Sequence, residues 1–471
     1  MRTIWRGTPP QDRSPGEAQM TDYPNLREFR IEESRDGIIH LVFDMPGRTM
    51  NVFSNAAIHE IGRFADWLRG SDVRGVVLRS GKATGFCAGA DLNELGVAYD
   101  MIMASPAEER TRVAYDHFFP LSRGLRALET AGKPVAVAVD GLALGGGCEF
   151  ALAAHYRVLT DNPKTALGLP ESLVGLLPGA GGTQRMPRVV GVEAALPILL
   201  DGGRFTPATA LAAGLAHAVV APGEEVAAAE HWILSAPEAS QPWDRTDAPA
   251  IDLKAVSALI DAAWSRALGQ PGEFYPAPFA ILDCIRGGIG QDMDRAIAWE
   301  MTVFAGLIQR PEPRNMIQTL FLGKLEHDRR AKADTLPPSL DLVKAAVLGA
   351  LRFECERAGD EALAKAALDV LGLGAAMAAI RAAAPVEAAA QMPAKAGHFW
   401  FENDQDRPER ALAARLLLAS AAAAGKVTVA EADRRTVDYA MVSGLGYPAY
   451  VGGPLALARY RDERAKARLV A

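Results

Sequence analysis

The residues with the clearest chemical potential lie in the stretch Asp140–Phe150, DGLALGGGCEF. Gly145, Gly146 and Gly147 let the backbone turn sharply and approach a ligand closely. Glu149 to His155 reads as a short helix, and a helix start presents unpaired N–H groups at the positive end of its dipole. Such a start can hold negative charge developing on a carbonyl oxygen. A tight turn without a ligand satisfies the same pattern, so this unit alone decides little. Two more stretches share its character: GFCAGADL over Gly85–Leu92 and LPESLVGLLPGAGGTQR over Leu169–Arg185. They add a second carboxyl, Glu171, directly after Pro170. Taken singly, a Glu in a first helical turn caps N–H groups, and a Glu on a surface loop is solvated.

The three stretches, in this order, resemble the crotonase, or enoyl-CoA hydratase/isomerase, superfamily over roughly Glu33 to Ala236. The resemblance implies two oxyanion-holding backbone N–H groups, at Ala90 and Gly146, and an acid/base pair, Glu149 and Glu171. The implied reaction adds water across a trans-2-enoyl-CoA to give a 3-hydroxyacyl-CoA. It needs a polarised thioester carbonyl, a base for water and an acid for the α carbon. By resemblance Glu149 acts chiefly on water and Glu171 on the α-carbon proton, although sequence does not divide the roles. Coenzyme A is part of the substrate, and no separate cofactor is expected. The backbone of Phe86 to Ala88 is implied to meet the adenine. Arg48 and Lys82 flank the expected groove, as phosphate partners or as ordinary solvated bases. The acyl pocket is expected along Leu92–Met103 and Leu173–Leu177, residues that serve equally as core. Asp91 is expected to fix its turn through side-chain to backbone hydrogen bonds. The alternatives are an enoyl-CoA isomerase, or a hydratase or scaffold subunit docking a separate dehydrogenase or thiolase.

These residues need positioning elements. Strands are expected in Arg35–Asp44, Val73–Arg79, Val135–Val139 and Tyr156–Thr160, with an extended Ala216–Val220. Helices are expected over Ala56–Leu68, Asp91–Met101, Pro106–Leu128, Val192–Leu200 and Pro207–Ala212, with Pro197 bending or shortening the fourth. Glu171 is expected on a loop. Pattern alone fits a doubly wound sheet equally well; the resemblance implies a crotonase-like spiral of β-β-α units.

A polar linker over Ser235–Pro249 follows, then helices over Leu253–Leu268, Phe279–Gly287, Asp292–Leu307 and Asn315–Leu322 around a turn-rich Gly272–Pro278. From Ser339 the chain reads as Ala-rich helices, with a hydrophilic break at Asp404–Pro408. Tyr275–Leu282 (YPAPFAIL) resembles the segment between hydratase and dehydrogenase in multifunctional β-oxidation enzymes. Glu431–Pro454 resembles the C-terminal domain of 3-hydroxyacyl-CoA dehydrogenases, with its GGP turn. No strand–GxGxxG–helix unit lies between them; Leu371–Met377, LGLGAAM, follows a helical stretch and reads as a helix–helix turn. No dehydrogenase activity is expected. The expected division is a flexible tail (1–25), a hydratase domain (26–236), a linker with a helical extension (237–325) and a helical domain (326–471).

Composition narrows the function class. The 471 residues carry a net charge of -7, without the clustered basic residues of a nucleic-acid footprint. The eight histidines show no closely spaced ligand cluster. PGAGGTQR lacks the Lys of a P-loop. The four cysteines form no CxxC pair, which fits a reducing cytoplasm, and no run reaches the length of a membrane span. A homo-oligomer or docking to another β-oxidation enzyme is the partner expectation.

Overall fold

The computed structural model describes residues 23–34, 36–248, 250–268, 275–388 and 407–470. Residues 1–22 of the expected tail, 272–274 of the expected turn and 404–406 of the expected break lie outside the described residues.

The central strands of the main sheet are largely apolar and largely buried. Its strands are β1 (Phe29–Glu33), β2 (Ile38–Phe43), β3 (Gly75–Ser80) and β4 (Val135–Val139). A short β5 (Leu142–Leu144) leaves for a second sheet, and β6 (Tyr156–Thr160) returns to the first. The remaining strands are β7 (Ala166–Gly168), β8 (Arg204–Phe205) and β9 (Ala218–Val220). The order is β1-β2-β3-β4-β6-β9 in one sheet and β5-β7-β8 in the other. β1 runs antiparallel to β2, whereas β2, β3, β4, β6 and β9 pair in parallel. All five residues of β4 are buried, as a central parallel strand requires.

Helices cover the sheets: α1 (Asn55–Gly70), α2 (Leu92–Ala104), α3 (Arg110–Glu129), α4 (Gly146–Leu152), α5 (Gly182–Val190), α6 (Val192–Asp201), α7 (Pro207–Ala212) and α8 (Glu225–Leu234). Ser54 starts α1 by accepting from Ala57 N at 3.2 Å, and Asp91 starts α2 by accepting from Asn93 N at 3.0 Å. Of the two expected effects of Pro197, shortening is not seen: α6 continues to Asp201. Its ring lies on the exposed face, between the buried Leu196 and Ile198. Glu171 lies not on a loop but in a 3-10 turn over Pro170–Val174, closed by Gly175 at φ 78°.

The linker helices α9 (Leu253–Leu268), α10 (Pro276–Gly288) and α11 (Met293–Leu307) share the core of the sheets: Ile260, Ile281, Ile285, Met301 and Phe304 join Phe43, Phe86 and Phe150 there. A second core begins at Met316. It is formed by α12 (Pro311–Met316) with a π turn over Ile317–Gly323 and, after α13 (Lys324–Lys332), which buries no residue, by α14 (Ser339–Ala358), α15 (Glu361–Val370), α16 (Met377–Ala382), α17 (Pro408–Gly425), α18 (Arg434–Leu445) and α19 (Pro454–Val470). Leu371–Met377 is a helix–helix turn, with Gly372 at φ 75°. The GGP turn is closed by Asp438, whose carboxylate accepts from Leu455 N at 2.8 Å and Ala456 N at 3.1 Å. No helix among the described residues is long and apolar enough to cross a membrane.

Candidate active site

The glycine signatures converge because β5 is sandwiched between them. Phe86 N and Cys87 N both donate to Leu142 O at 3.0 Å, and Leu144 N donates to Cys87 O at 2.9 Å. Gly145, at φ 53°, then ends β5 and caps α4, with Cys148 N and Glu149 N donating to its carbonyl at 2.8 and 3.0 Å. Gly147 must be glycine: a Cβ there would sit 2.6 Å from Cys87 O. A Cβ at Gly89, whose φ is 98°, would lie 3.6 Å from Gly146 N. The GAD turn and the start of α4 are therefore in contact. Among the described residues neither Ala90 N nor Gly146 N donates to a protein acceptor, although Phe53 N, Ala88 N and Asp91 N around them all do.

Two carboxyls flank this point. Glu149, in the first turn of α4, is 2% exposed. Its Oε1 accepts from Ala180 N at 2.7 Å and Gly182 N at 2.8 Å, in the PGAGG turn that leads into α5. Burial raises its pKa to about 7, against the opposing pull of those two N–H groups and of Arg185. Glu171 approaches from the other side: a Cβ at Gly145 would lie 2.9 Å from its Oε1. Its Oε2 is buried with no hydrogen-bond partner among the described residues. Burial, then the charge of Glu149, then that of Glu300, hold the Glu171 carboxyl well above the usual carboxylate range. Both carboxyls are thus held above the ordinary carboxylate range and titrate as a set.

Three charged residues that sequence reading passed over support the pair. Arg185 and Glu129 are both fully buried and form a bidentate pair at 2.6 and 2.9 Å, while Arg185 Nη1 donates to Ala180 O at 2.7 Å. Glu300, from α11, accepts from Gly181 N at 2.6 Å, Thr183 N at 2.9 Å and Thr183 Oγ1 at 2.5 Å. A signal existed for Glu300: its helical neighbours Ile297, Met301 and Phe304 are all apolar, placing a carboxylate on the buried face. Glu129 ends an amphipathic helix and carries no comparable mark.

The residues proposed for coenzyme A are spread differently. Phe86 is fully buried, its ring 6.1 Å from that of Phe150, and its carbonyl accepts from Asn51 Nδ2 at 3.1 Å. Ala88 is exposed, with its N–H engaged by Asn51 O at 2.9 Å. Arg48 pairs with Asp91 at 2.8 Å and keeps a half-exposed side chain. Lys82 Nζ is held by Asp44 at 2.6 Å and by Met45 O at 2.7 Å. Of the residues expected along the acyl chain, Leu95, Leu176 and Leu177 are buried, whereas Val97, Met101 and Leu173 are exposed. A cavity of about 510 Å³ opens beside Ser172 and Leu173, between the sheets' helices, the linker at Phe279 and Met316, and the helical body at Leu371 and Tyr450. Among the described residues no group of three potential metal ligands is assembled.

Comparison with known proteins bears on the family. The family model for enoyl-CoA hydratase/isomerase matches residues 33–243. The fatty acid oxidation complex subunit alpha of Shewanella frigidimarina is 34% identical over 328 residues, covering 69% of this chain and 44% of that protein. The same subunit of Idiomarina loihiensis is 32% identical over 336 residues, covering 69% and 44%. The match therefore spans less than half the length of these curated relatives. Among solved structures, Pseudomonas aeruginosa DspI aligns at a TM-score of 0.39 with 26% identity, over 53% of this chain and 92% of that one. The glycine signatures, the fold they organise and the sequence match lead to one assignment: the chain belongs to the crotonase (enoyl-CoA hydratase/isomerase) superfamily and is homologous to the alpha subunit of the fatty acid oxidation complex.

Proposed function

We propose that the chain is an enoyl-CoA hydratase, adding water across a 2-enoyl-CoA to give a 3-hydroxyacyl-CoA. The observation that carries this reading is a pair of carboxyls, the buried Glu149 and Glu171 with its buried Oε2, beside two unengaged backbone N–H groups. In the proposed mechanism the thioester oxygen lies between Ala90 N and Gly146 N, which stabilise the negative charge it gains. Glu149, raised to about 7 by burial, takes a proton from water as the oxygen bonds to the β carbon. Glu171 is the carboxyl held protonated, so it delivers a proton to the α carbon. Two carboxyls beside one reacting group can divide the acid and base roles between them.

The same two groups support a subsidiary shift of a 3-enoyl double bond, which needs proton removal and return without water. Retention of both carboxyls favours hydration over isomerisation alone. All four cysteines are free thiols, which supports a reducing, cytoplasmic setting. Product analysis on paired 2-enoyl and 3-enoyl thioesters tests the reading. We expect 3-hydroxyacyl-CoA as the main product of the 2-enoyl substrate; turnover confined to the shifted alkene of the 3-enoyl substrate would replace hydratase by isomerase.

A further inference from the structure

We propose that Glu300, on the linker helix α11, is a positioning residue of the hydration site, holding the turn that holds Glu149. The inference rests on the hydratase reading above.

Four successive N–H groups of the PGAGGT turn alternate between two carboxyls. Ala180 N and Gly182 N point to Glu149; Gly181 N and Thr183 N point to Glu300. Each peptide unit is planar and is joined to the next at a shared Cα, so holding Gly181 N and Thr183 N restricts the directions open to Ala180 N and Gly182 N. Thr183 Oγ1 adds a third donor to Glu300 at 2.5 Å, and Arg185 pins the carbonyl of Ala180 at 2.7 Å. Glu300 is 0% exposed, yet it sits beyond residues 33–243 that the family model matches. The linker thus contributes a charged group to the support of the site, in addition to apolar cover.

A structural tether alone would need no carboxyl coupled to the reacting pair. Glu300 faces Glu149 from α4, Glu171 from the 3-10 turn, Arg185 and Arg188 from α5, and Cys284 from α10, while Glu129 of α3 neutralises Arg185. Burial and then the charge of Glu149 raise Glu300 to about 8, and the Glu300 charge in turn raises Glu171. Once ionised, Glu300 therefore helps to keep the proposed acid protonated.

Substituting Glu300→Gln keeps the shape, removes the charge and sets an amide N–H against one of the turn's N–H donors. The test is kcat and KM of the full chain on crotonyl-CoA against pH, with a melting curve for each variant. We expect kcat to fall roughly ten- to hundred-fold, as for a misplacement approaching 1 Å. KM should change less than about threefold, because the proposed thioester contacts at Ala90 and Gly146 are untouched. The alkaline limb should move to lower pH, since Glu171 loses its proton more easily without the neighbouring charge. A folded Glu300→Gln chain with the parent kcat and an unmoved alkaline limb would overturn the inference, even if it melted earlier. Failure of the unaltered chain to hydrate crotonyl-CoA would instead overturn the hydratase reading, and this inference with it. If Glu300→Gln does not fold, ¹³C-glutamate NMR decides: a third carboxyl should titrate near 8 in the parent chain, and at lower pH in Glu149→Gln. Its absence, or its indifference to Glu149→Gln, would overturn the inference.

Discussion

Adding one methyl group at Gly182 should disable the base without removing it. The backbone conformation of Gly182 is open to any residue, so alanine introduces no dihedral strain there. Its Cβ, however, would lie 2.8 Å from Glu149 Oε1, 3.1 Å from Glu149 Cγ and 2.7 Å from Pro178 Cβ. Ordinary contacts lie near ~3.5 Å, so each neighbour is short by roughly 0.4 to 0.8 Å. Pro178 is a ring on a fixed turn, and the Glu149 side chain has the rotatable bonds; Glu149 gives way. A shift of that size in a catalytic carboxyl costs roughly ten- to hundred-fold in kcat, about 1.4–2.7 kcal/mol of transition-state stabilisation. Overpacking should lower stability by about 1–3 kcal/mol as well. The assay is the loss of enoyl-thioester absorbance on crotonyl-CoA, with thermal unfolding run in parallel. Gly62→Ala is the control: it lies within α1 with nothing within 4 Å of its Cβ, and alanine there should leave kcat unchanged. A Gly182→Ala chain with kcat within twofold of the parent would refute the placement of Glu149 as base.

Other consequences follow from the same charges. Arg185→Met leaves Glu129 buried without its fully buried partner and should cost about 3–5 kcal/mol by urea unfolding; a loss under about 1 kcal/mol would show that the pair is dispensable. The pKa of Glu149 is raised to about 7 and the ionised form is the base, so kcat/KM should rise with pH up to about 7, before the alkaline limb set by Glu171; a profile flat from about pH 5 to 7 would contradict that role. For stability the sign is opposite. Because the folded pKa exceeds the ordinary carboxyl value of 4.5, the favourable contribution of Glu149 is complete below about 4.5 and is lost as pH rises to about 7. Glu149→Gln should flatten that part of the stability profile, and an unchanged slope would count against the raised pKa.

Much of the site was legible because glycine-rich turns leave dense local marks. β4, β6 and α7 appear with the bounds expected, each delimited by proline, glycine or a polar cap. The small sheet did not announce itself: β5, β7 and β8 have two or three residues each, too few for any alternation to register. β1 was passed over although FRIEE pairs residue by residue with β2. Glu149 and Glu171 carried local signatures, whereas the groups supporting them are long-range. Glu300 lies 119 residues from Gly181, and Glu129 lies 56 residues from Arg185. No window short enough to show a helical period spans such distances, so these partners emerge only when the chain is folded.

The most direct test of the two-carboxyl claim is hydration of crotonyl-CoA by the purified full chain beside Glu149→Gln and Glu171→Gln. Each substitution keeps the side-chain volume and removes one proton-transfer group, so each should cost roughly 10²- to 10⁴-fold in kcat while the fold is retained. Near-parental turnover in either folded variant would contradict the account.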